Sequence, residues 1–141
     1  MLGTLSALEQ SQGYSPTAAL MRAGLAPGTA RTAAVLAGAG LLAAAALLAG
    51  RADGDRRSLC MALVASLVLS PIVWLHYLTL LIAPLAITWR RFAWPWLLPT
   101  MLWLTPAEQS LAHPWGIGVA LVVTAAVAVA AARPAAAPRP A

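Results

Sequence analysis

The sequence predicts an all-α, polytopic membrane protein in which about five helices cross the bilayer. Three observations predict this class. Hydrophobic residues make up 61% of the 141 residues and charged residues only 9%, whereas soluble domains carry about a quarter charged residues. The apolar residues form long uninterrupted runs, and the mean hydropathy is +0.79. Arginines stand in the short gaps between these runs, as is typical of residues that flank membrane spans.

The charge balance and the single cysteine exclude several classes of function. Nine basic residues, all arginine, stand against four acids and give a net charge of +5. A basic chain suits nucleic acid, but these arginines line neither one helix nor one face, so we expect no nucleic-acid partner. Cys60 is alone, which excludes an internal disulfide and a multi-cysteine metal site. We expect neither a metal nor a cofactor.

A polar to weakly apolar segment, residues 1–31, precedes the first apolar run. Within it, Ser15 as N-cap and Pro16 at the first helical position predict a short helix through Arg22 that stops at Gly24. This helix is too short to cross a bilayer. We expect it to lie along the outer membrane surface.

The transmembrane region is expected to cover residues 32–132 and to begin with the uncharged run 32–50. At 1.5 Å per residue this run is about 28 Å long, close to the hydrocarbon thickness of a bilayer. The charged turn 51–57 follows it. Each charge there would cost about 2.5–3.5 kcal/mol at the centre of a span, so the turn must lie in water.

The next uncharged stretch, from Leu59 to Thr88, is about 45 Å long as a single helix, which exceeds the bilayer core. Pro71 disfavours helix at Ser70, in the middle of this stretch. We therefore expect two short spans, about 59–72 and 75–89, with one long tilted span as the alternative. The segment 92–105 is either a fourth span or a re-entrant segment, and 116–132 is the last span. Residues 133–141 are expected to form a disordered cytoplasmic tail.

The arginine distribution favours five spans over four. Five spans place seven arginines on one side of the membrane and two on the other, whereas four spans divide them six to three. Because arginine is enriched on the cytoplasmic side, the larger group is expected to face the cytoplasm. Residues 1–31 and the loop 105–115 then face outward.

Polar side chains near the spans are few, and the densest group lies between Ser70 and Tyr77. His76 can donate or accept hydrogen bonds and can bind an anionic phosphate when it is charged. Trp74 and Tyr77 offer rings that stack against a sugar. The alternative interpretation is an aromatic belt at the membrane interface that includes a histidine.

Other polar candidates lie in the outward-facing segments. Gln10 and Ser11 are suited to hydrogen bonds with sugar hydroxyls, and Arg22 to pairing with a phosphate, the alternative being a solvated surface segment. Glu108 and His113 in the outer loop are more simply interpreted as a solvated acid and a turn residue. The sequence contains no phosphate-binding loop, dinucleotide fingerprint, Ser-His-Asp set or CxxC motif.

The run from Leu69 to Tyr77, followed by apolar residues to Pro84, resembles a motif of the bacterial family-87 glycosyltransferases, the DUF2029 group. The upstream Gln10-Ser11 pair and Arg22 are similar to a second element of that family. The resemblance covers about residues 8–90. It implies a multi-span fold around a lipid-linked donor site in the bacterial plasma membrane. It also implies transfer of a hexose, with mannose expected, from a polyprenyl-phosphate sugar to a cell-envelope glycolipid or glycan.

In that family the catalytic carboxylate lies in an early outer loop, and this sequence has no matching acid. The chain is therefore expected to be the C-terminal membrane portion of such an enzyme, with no catalytic residue identified. The substrate-binding residues implied by the resemblance are His76, Tyr77, Trp74, Arg22, Gln10 and Ser11. The alternative is a non-enzymatic membrane anchor or assembly subunit. A small transporter is disfavoured because no span carries a buried charge.

Overall fold

The computed structural model describes residues 13–51, 53–89, 92–104 and 114–133, and all regular structure in these ranges is helical. The predicted all-α class is therefore confirmed. The α-helices are α1 (Pro16–Arg22), α2 (Pro27–Ala49), α3 (Gly54–Leu69), α4 (Ile82–Thr88) and α5 (Pro114–Ala132). The 3₁₀ helices are Leu75–Leu81, Trp94–Leu97 and Pro99–Leu104.

Helix α1 begins and ends where the sequence predicts. The Ala18 amide donates to Ser15 Oγ at 3.1 Å, and Pro16 occupies the first helical position. After Arg22 the chain turns through Gly24, whose φ of +94° suits glycine. The buried face of α1 packs against α2 and α5, so the helix is part of the bundle.

Helix α2 begins at Pro27, five residues before the predicted start of the first span at residue 32. Pro27 has a fixed φ that suits the first helical position, so the helix is already established before the uncharged run begins. Arg31, which is partly buried, consequently lies in the second turn.

A tight turn joins α2 to α3. Asp53 adopts a left-handed conformation with φ of +59°. Gly54 starts α3 so close to the end of α2 that a Cβ there would collide with the Leu48 carbonyl oxygen. The close approach continues to the end of α3, where the Leu69 side chain lies against Gly38 in the middle of α2. Helix α3 therefore starts before the predicted span at residue 59 and includes part of the charged turn.

The helical chain is interrupted between Leu69, where α3 ends, and Leu75, where the first 3₁₀ helix begins. The interruption lies at the predicted Ser70-Pro71 position, and Ser70 Oγ donates to the Ile72 carbonyl at 2.8 Å. The 3₁₀ helix then runs directly into α4. Further along, two short 3₁₀ helices occupy 94–104 in place of one continuous α-helix. Pro95 and Pro99 explain this, because proline supplies no N–H to a helix.

Among the described residues, two helices are long and apolar enough to cross a membrane, by length and composition: Pro27–Ala49 and Trp115–Ala132. They differ in burial. The outer face of α2 is exposed, with Leu36 at 67% and Leu47 at 73%. Helix α5 packs on α3, α4 and the 3₁₀ segments, and it contributes Val123 and Val127 to the buried core. That the shorter helical segments also cross a membrane stays a prediction.

Candidate functional site

The segment at the start of α1 contacts the interruption after α3 directly. The Tyr14 amide donates to the Val73 carbonyl at 2.8 Å. Ser15 Oγ donates to the Pro71 carbonyl at 2.9 Å while it caps α1. Tyr14 and Ser15 are both buried. The start of α1 is therefore attached to the interruption after α3 at one end of the helix bundle.

His76 lies on a pocket of about 410 Å³ at this end. The pocket forms between the first 3₁₀ helix and the Pro99–Leu104 helix, and we call it the His76 pocket. Its residues are Leu75, His76, Leu78, Thr79, Ile82, Pro99, Leu102 and Trp103. Thr79 Oγ1 donates to the His76 carbonyl at 2.7 Å. The pocket thus combines an apolar lining with an imidazole, a hydroxyl and an indole that is 88% exposed.

Trp74 and Tyr77 do not line this pocket. The Tyr77 ring meets the His76 ring edge-on, with centroids 4.5 Å apart and an interplanar angle of 63°. A 3₁₀ helix repeats every three residues, so residues 76 and 79 share one face while 74 and 77 share another. The aromatic side chain of the pocket is therefore Trp103, which the sequence analysis missed because it lies in a separate helix.

Arg22 lines a different pocket, of about 300 Å³, between α1 and the first turns of α5. We call it the Arg22 pocket. Its other residues are Ala19, Ala23, Ile117, Gly118 and Leu121. Partial burial lowers the pKa of Arg22 from its ordinary value, and the nearby Tyr14 opposes this shift. The guanidinium remains protonated at neutral pH.

His76 and Arg22 therefore face neighbouring pockets and are not brought together on one. Leu78 lines the His76 pocket and Leu121 lines the Arg22 pocket. Both residues also line a small void of about 20 Å³, together with Tyr14 and Val73. The two pockets therefore have no lining residue in common. The candidates Gln10, Ser11, Glu108 and His113 lie outside the described residues.

At the opposite end of the bundle, arginine side chains form hydrogen bonds that connect the helix ends. Arg56 pairs with Asp53, with Nε donating to the carboxylate at 2.8 Å. Arg56 also donates to Thr88 Oγ1 at 3.0 Å and to the Arg133 carbonyl at 3.1 Å. Arg57 Nε donates to the last carbonyl of α5 at 2.7 Å. The start of α3 therefore meets the ends of α4 and α5, where cations stabilise the helix carbonyls.

The acids of the described ranges, Asp53 and Asp55, lie at this arginine end. Helix α3 has 16 residues, so its length of about 24 Å separates them from the interruption near His76. The described ranges contain no group of three His, Cys, Asp or Glu side chains that could hold a metal ion.

Comparison of the chain with protein-family profiles, with curated protein sequences and with solved structures finds no match.

Proposed function

We propose that this chain is the C-terminal membrane portion of a hexosyltransferase that takes mannose or a related hexose from a polyprenyl-phosphate donor. The acceptor is a glycolipid or glycan of the bacterial cell envelope. The observation that supports this most is the pairing of Tyr14 and Ser15 with Val73 and Pro71. This pairing attaches the start of α1 to residues 71–73 of the motif that resembles the family, next to a pocket large enough for a sugar.

The chemistry of the His76 pocket suits a hexose. Its volume of about 410 Å³ falls in the range of small-molecule sites. An indole such as that of Trp103 stacks against the apolar face of a sugar ring. The His76 imidazole and the Thr79 hydroxyl can exchange hydrogen bonds with sugar hydroxyls. We therefore assign the sugar to this pocket, with Trp74 and Tyr77 bordering it from the adjacent face of the 3₁₀ helix.

The proposed setting is a multi-pass protein of the bacterial plasma membrane with about five spans, the arginine end in the cytoplasm and the His76 end outside. In this arrangement α2, α3, the segment 75–89, the segment 92–104 and α5 cross in alternation. Support comes from the arginine contacts, because alternate crossing requires the start of α3 and the ends of α4 and α5 to meet on one side.

A second candidate function is a non-enzymatic membrane anchor or assembly subunit. It is favoured by the position of Asp53 and Asp55, the acids of the described ranges, at the far end of α3 from the His76 pocket. Transfer to a hydroxyl needs a general base near the reacting group. In an anchor, the His76 pocket has no preference for a sugar.

A binding experiment separates the two candidates. The detergent-solubilised chain is titrated with polyprenyl-phosphate mannose and with the same lipid without mannose. We expect the mannosylated lipid to bind more tightly. Replacement Trp103→Ala should weaken its binding about fivefold, the loss expected for about 1 kcal/mol of ring stacking.

The matched control is Trp94→Ala, because Trp94 is also exposed, at 62%, on a 3₁₀ helix but does not line the pocket. It should leave the binding of both lipids unchanged. Equal affinity of the native chain for the two lipids would reject the sugar site and favour the anchor. An equal loss in Trp103→Ala and Trp94→Ala would also reject the assignment of the sugar to the His76 pocket.

A further inference from the structure

The segment that contributes His76 to its pocket has a repeat of three residues. His76, Thr79 and Ile82 stand three apart, and all of them line the His76 pocket. Leu78 and Leu81, also three apart, are buried in the core. Side chains three apart lie above one another in a 3₁₀ helix. The face that the segment presents to the pocket therefore depends on this helix type.

The 3₁₀ form extends over the whole segment from Leu75 to Leu81. Near its start the Tyr77 amide donates to the Trp74 carbonyl at 2.9 Å, and after its end the Ile82 amide donates to the carbonyl of residue 79. Seven residues is long for a 3₁₀ helix, since runs of more than three or four are uncommon. The segment contains four leucines and neither proline nor glycine, a composition that permits an α-helix. A feature outside the segment must therefore favour the 3₁₀ form.

Pro84 is such a feature. It is the third residue of α4 and so lies in the first turn, where an amide hydrogen has no partner within the helix. If an α-helix began at Leu75 instead, Pro84 would lie in its interior. Its ring would then clash with the Leu80 carbonyl four residues back, and that carbonyl would lose its hydrogen bond. Pro84 therefore opposes one continuous α-helix from Leu75 to Thr88.

The segment is attached to other helices on both sides. Before it, the Val73 carbonyl accepts from the Tyr14 amide at the start of α1. After it, Pro84 is fully buried, and its carbonyl accepts from Cys60 Sγ on α3 at 3.8 Å. The seven residues would be about 3.5 Å shorter as an α-helix than as a 3₁₀ helix. The 3₁₀ form therefore covers a distance between two attached ends that the α form would not.

The helix type also determines which way the polar side chains point. Successive residues are rotated by about 120° in a 3₁₀ helix and by about 100° in an α-helix. Conversion to an α-helix would therefore turn His76 by about 120° relative to Ile82, six residues further on, and Thr79 by about 60°. The His76 and Thr79 side chains would then no longer share the face that lines the pocket.

We infer that Pro84 is a positioning residue, which keeps Leu75–Leu81 in the 3₁₀ form and thereby places His76 and Thr79 on the His76 pocket. Pro84 does not line the pocket itself, so it acts through the helix and not on the ligand. Its role rests on the proposed function for the identity of the ligand, a sugar. The helix form that Pro84 determines does not depend on any ligand.

Spin labels on either side of the segment measure its length. In a Cys60→Ala background, Trp74→Cys and Ile87→Cys provide labelling positions that are 39% and 36% exposed. Double electron–electron resonance of the detergent-solubilised chain should give a distance shorter by about 3 Å when Pro84→Ala is added. Pro84→Val should shorten the distance equally, because valine also supplies an N–H and refills the buried volume. The matched control is Pro95→Ala, since Pro95 is fully buried but lies in a separate 3₁₀ helix, and it should leave the distance unchanged.

Lipid binding distinguishes a positioning role from a general contribution to packing. In the otherwise native chain, Pro84→Ala should weaken the binding of polyprenyl-phosphate mannose about tenfold, the loss expected when His76 and Thr79 no longer reach the sugar. The binding of the same lipid without mannose should not change, because it offers no sugar to these side chains. Pro95→Ala should change neither affinity.

An unchanged label distance in either folded Pro84 variant would overturn the inference, whether or not the chain binds a sugar. An equal shortening in Pro95→Ala would do so as well, because it would indicate a general rearrangement. A shorter distance with undiminished preference for the mannosylated lipid would show that the helix form does not position His76. Equal binding of the two lipids by the native chain rejects the sugar site alone, since the label distances are measured without lipid ligand.

Discussion

Replacement of Ser15 by alanine tests the connection between α1 and the interruption after α3. Ser15 is fully buried, and its hydroxyl makes two contacts. It accepts from the Ala18 amide at 3.1 Å and donates to the Pro71 carbonyl at 2.9 Å. Ser15→Ala removes both hydrogen bonds and leaves the backbone groups without this partner. The change therefore weakens the start of α1 and its attachment to the segment before His76.

The magnitude follows from the two contacts. Loss of a helix N-cap costs about 1 kcal/mol. Loss of the second hydrogen bond costs a further amount of about 1 kcal/mol, because the Pro71 carbonyl is only partly shielded from solvent. Together they lower the free energy of unfolding by about 2 kcal/mol, which changes the unfolding equilibrium about 30-fold.

Unfolding of the purified chain by titration with dodecyl sulfate in mild detergent micelles, followed by circular dichroism, measures this loss. The matched control is Ser66→Ala. Ser66 is exposed, and its hydroxyl donates to Leu63 in its own helix at 2.7 Å, so its removal should cost less than about 0.5 kcal/mol. If Ser15→Ala is no more destabilising than Ser66→Ala, the attachment of α1 to the interruption contributes nothing to stability and the reasoning fails.

Two further predictions concern the arginine end and the turn that leads to it. Gly54→Ala should destabilise the chain by about 2 kcal/mol or more, because its Cβ would collide with a backbone carbonyl of α2. Gly40→Ala, in open space on α2, should be neutral or stabilising by up to about 1 kcal/mol in the same titration. Arg56→Gln should cost about 1–3 kcal/mol, since it removes contacts to α4 and α5 as well as the Asp53 pair. A loss in Arg56→Gln no greater than in Arg51→Gln would show that these contacts do not hold the helix ends together.

The helix boundaries that local chemistry determines were predictable from the sequence. Ser15-Pro16 predicted the start of α1, and Ser70-Pro71 predicted the interruption after α3. Both signals operate within a few residues, through a side-chain cap and through the restricted backbone of proline. Helix α2 begins at Pro27, before the uncharged run at residues 32–50 that predicts the first span, because proline suits the first helical position.

The contents of the pockets were less predictable, because they depend on helix type and on distant contacts. His76 was identified from its motif, but a period of three in a 3₁₀ helix pairs it with Thr79 and turns Trp74 and Tyr77 to another face. Trp103 joins the pocket from a separate helix. No sequence periodicity relates residues so far apart.

Similarly, the sequence indicates Arg22 as suited to pairing with a phosphate, but its neighbours on α5 follow only from packing. Ile117 and Gly118 lie almost a hundred positions further along the chain. The direct hydrogen bonds between the segments at 14–15 and 71–73 were likewise not visible in the sequence, since three of their four atoms belong to the backbone.

Side-specific labelling tests most directly the central claim, that the His76 end and the arginine end lie on opposite sides of a membrane. Cys60 is the only cysteine, so a Cys60→Ala background allows single cysteines to be introduced. The positions are Ala26 and Asp55, both exposed, which lie before α2 and in the first turn of α3. With a membrane-impermeant maleimide, Ala26→Cys should react in intact cells and Asp55→Cys only after permeabilisation. Reaction of both positions in intact cells, or of neither, would contradict the account.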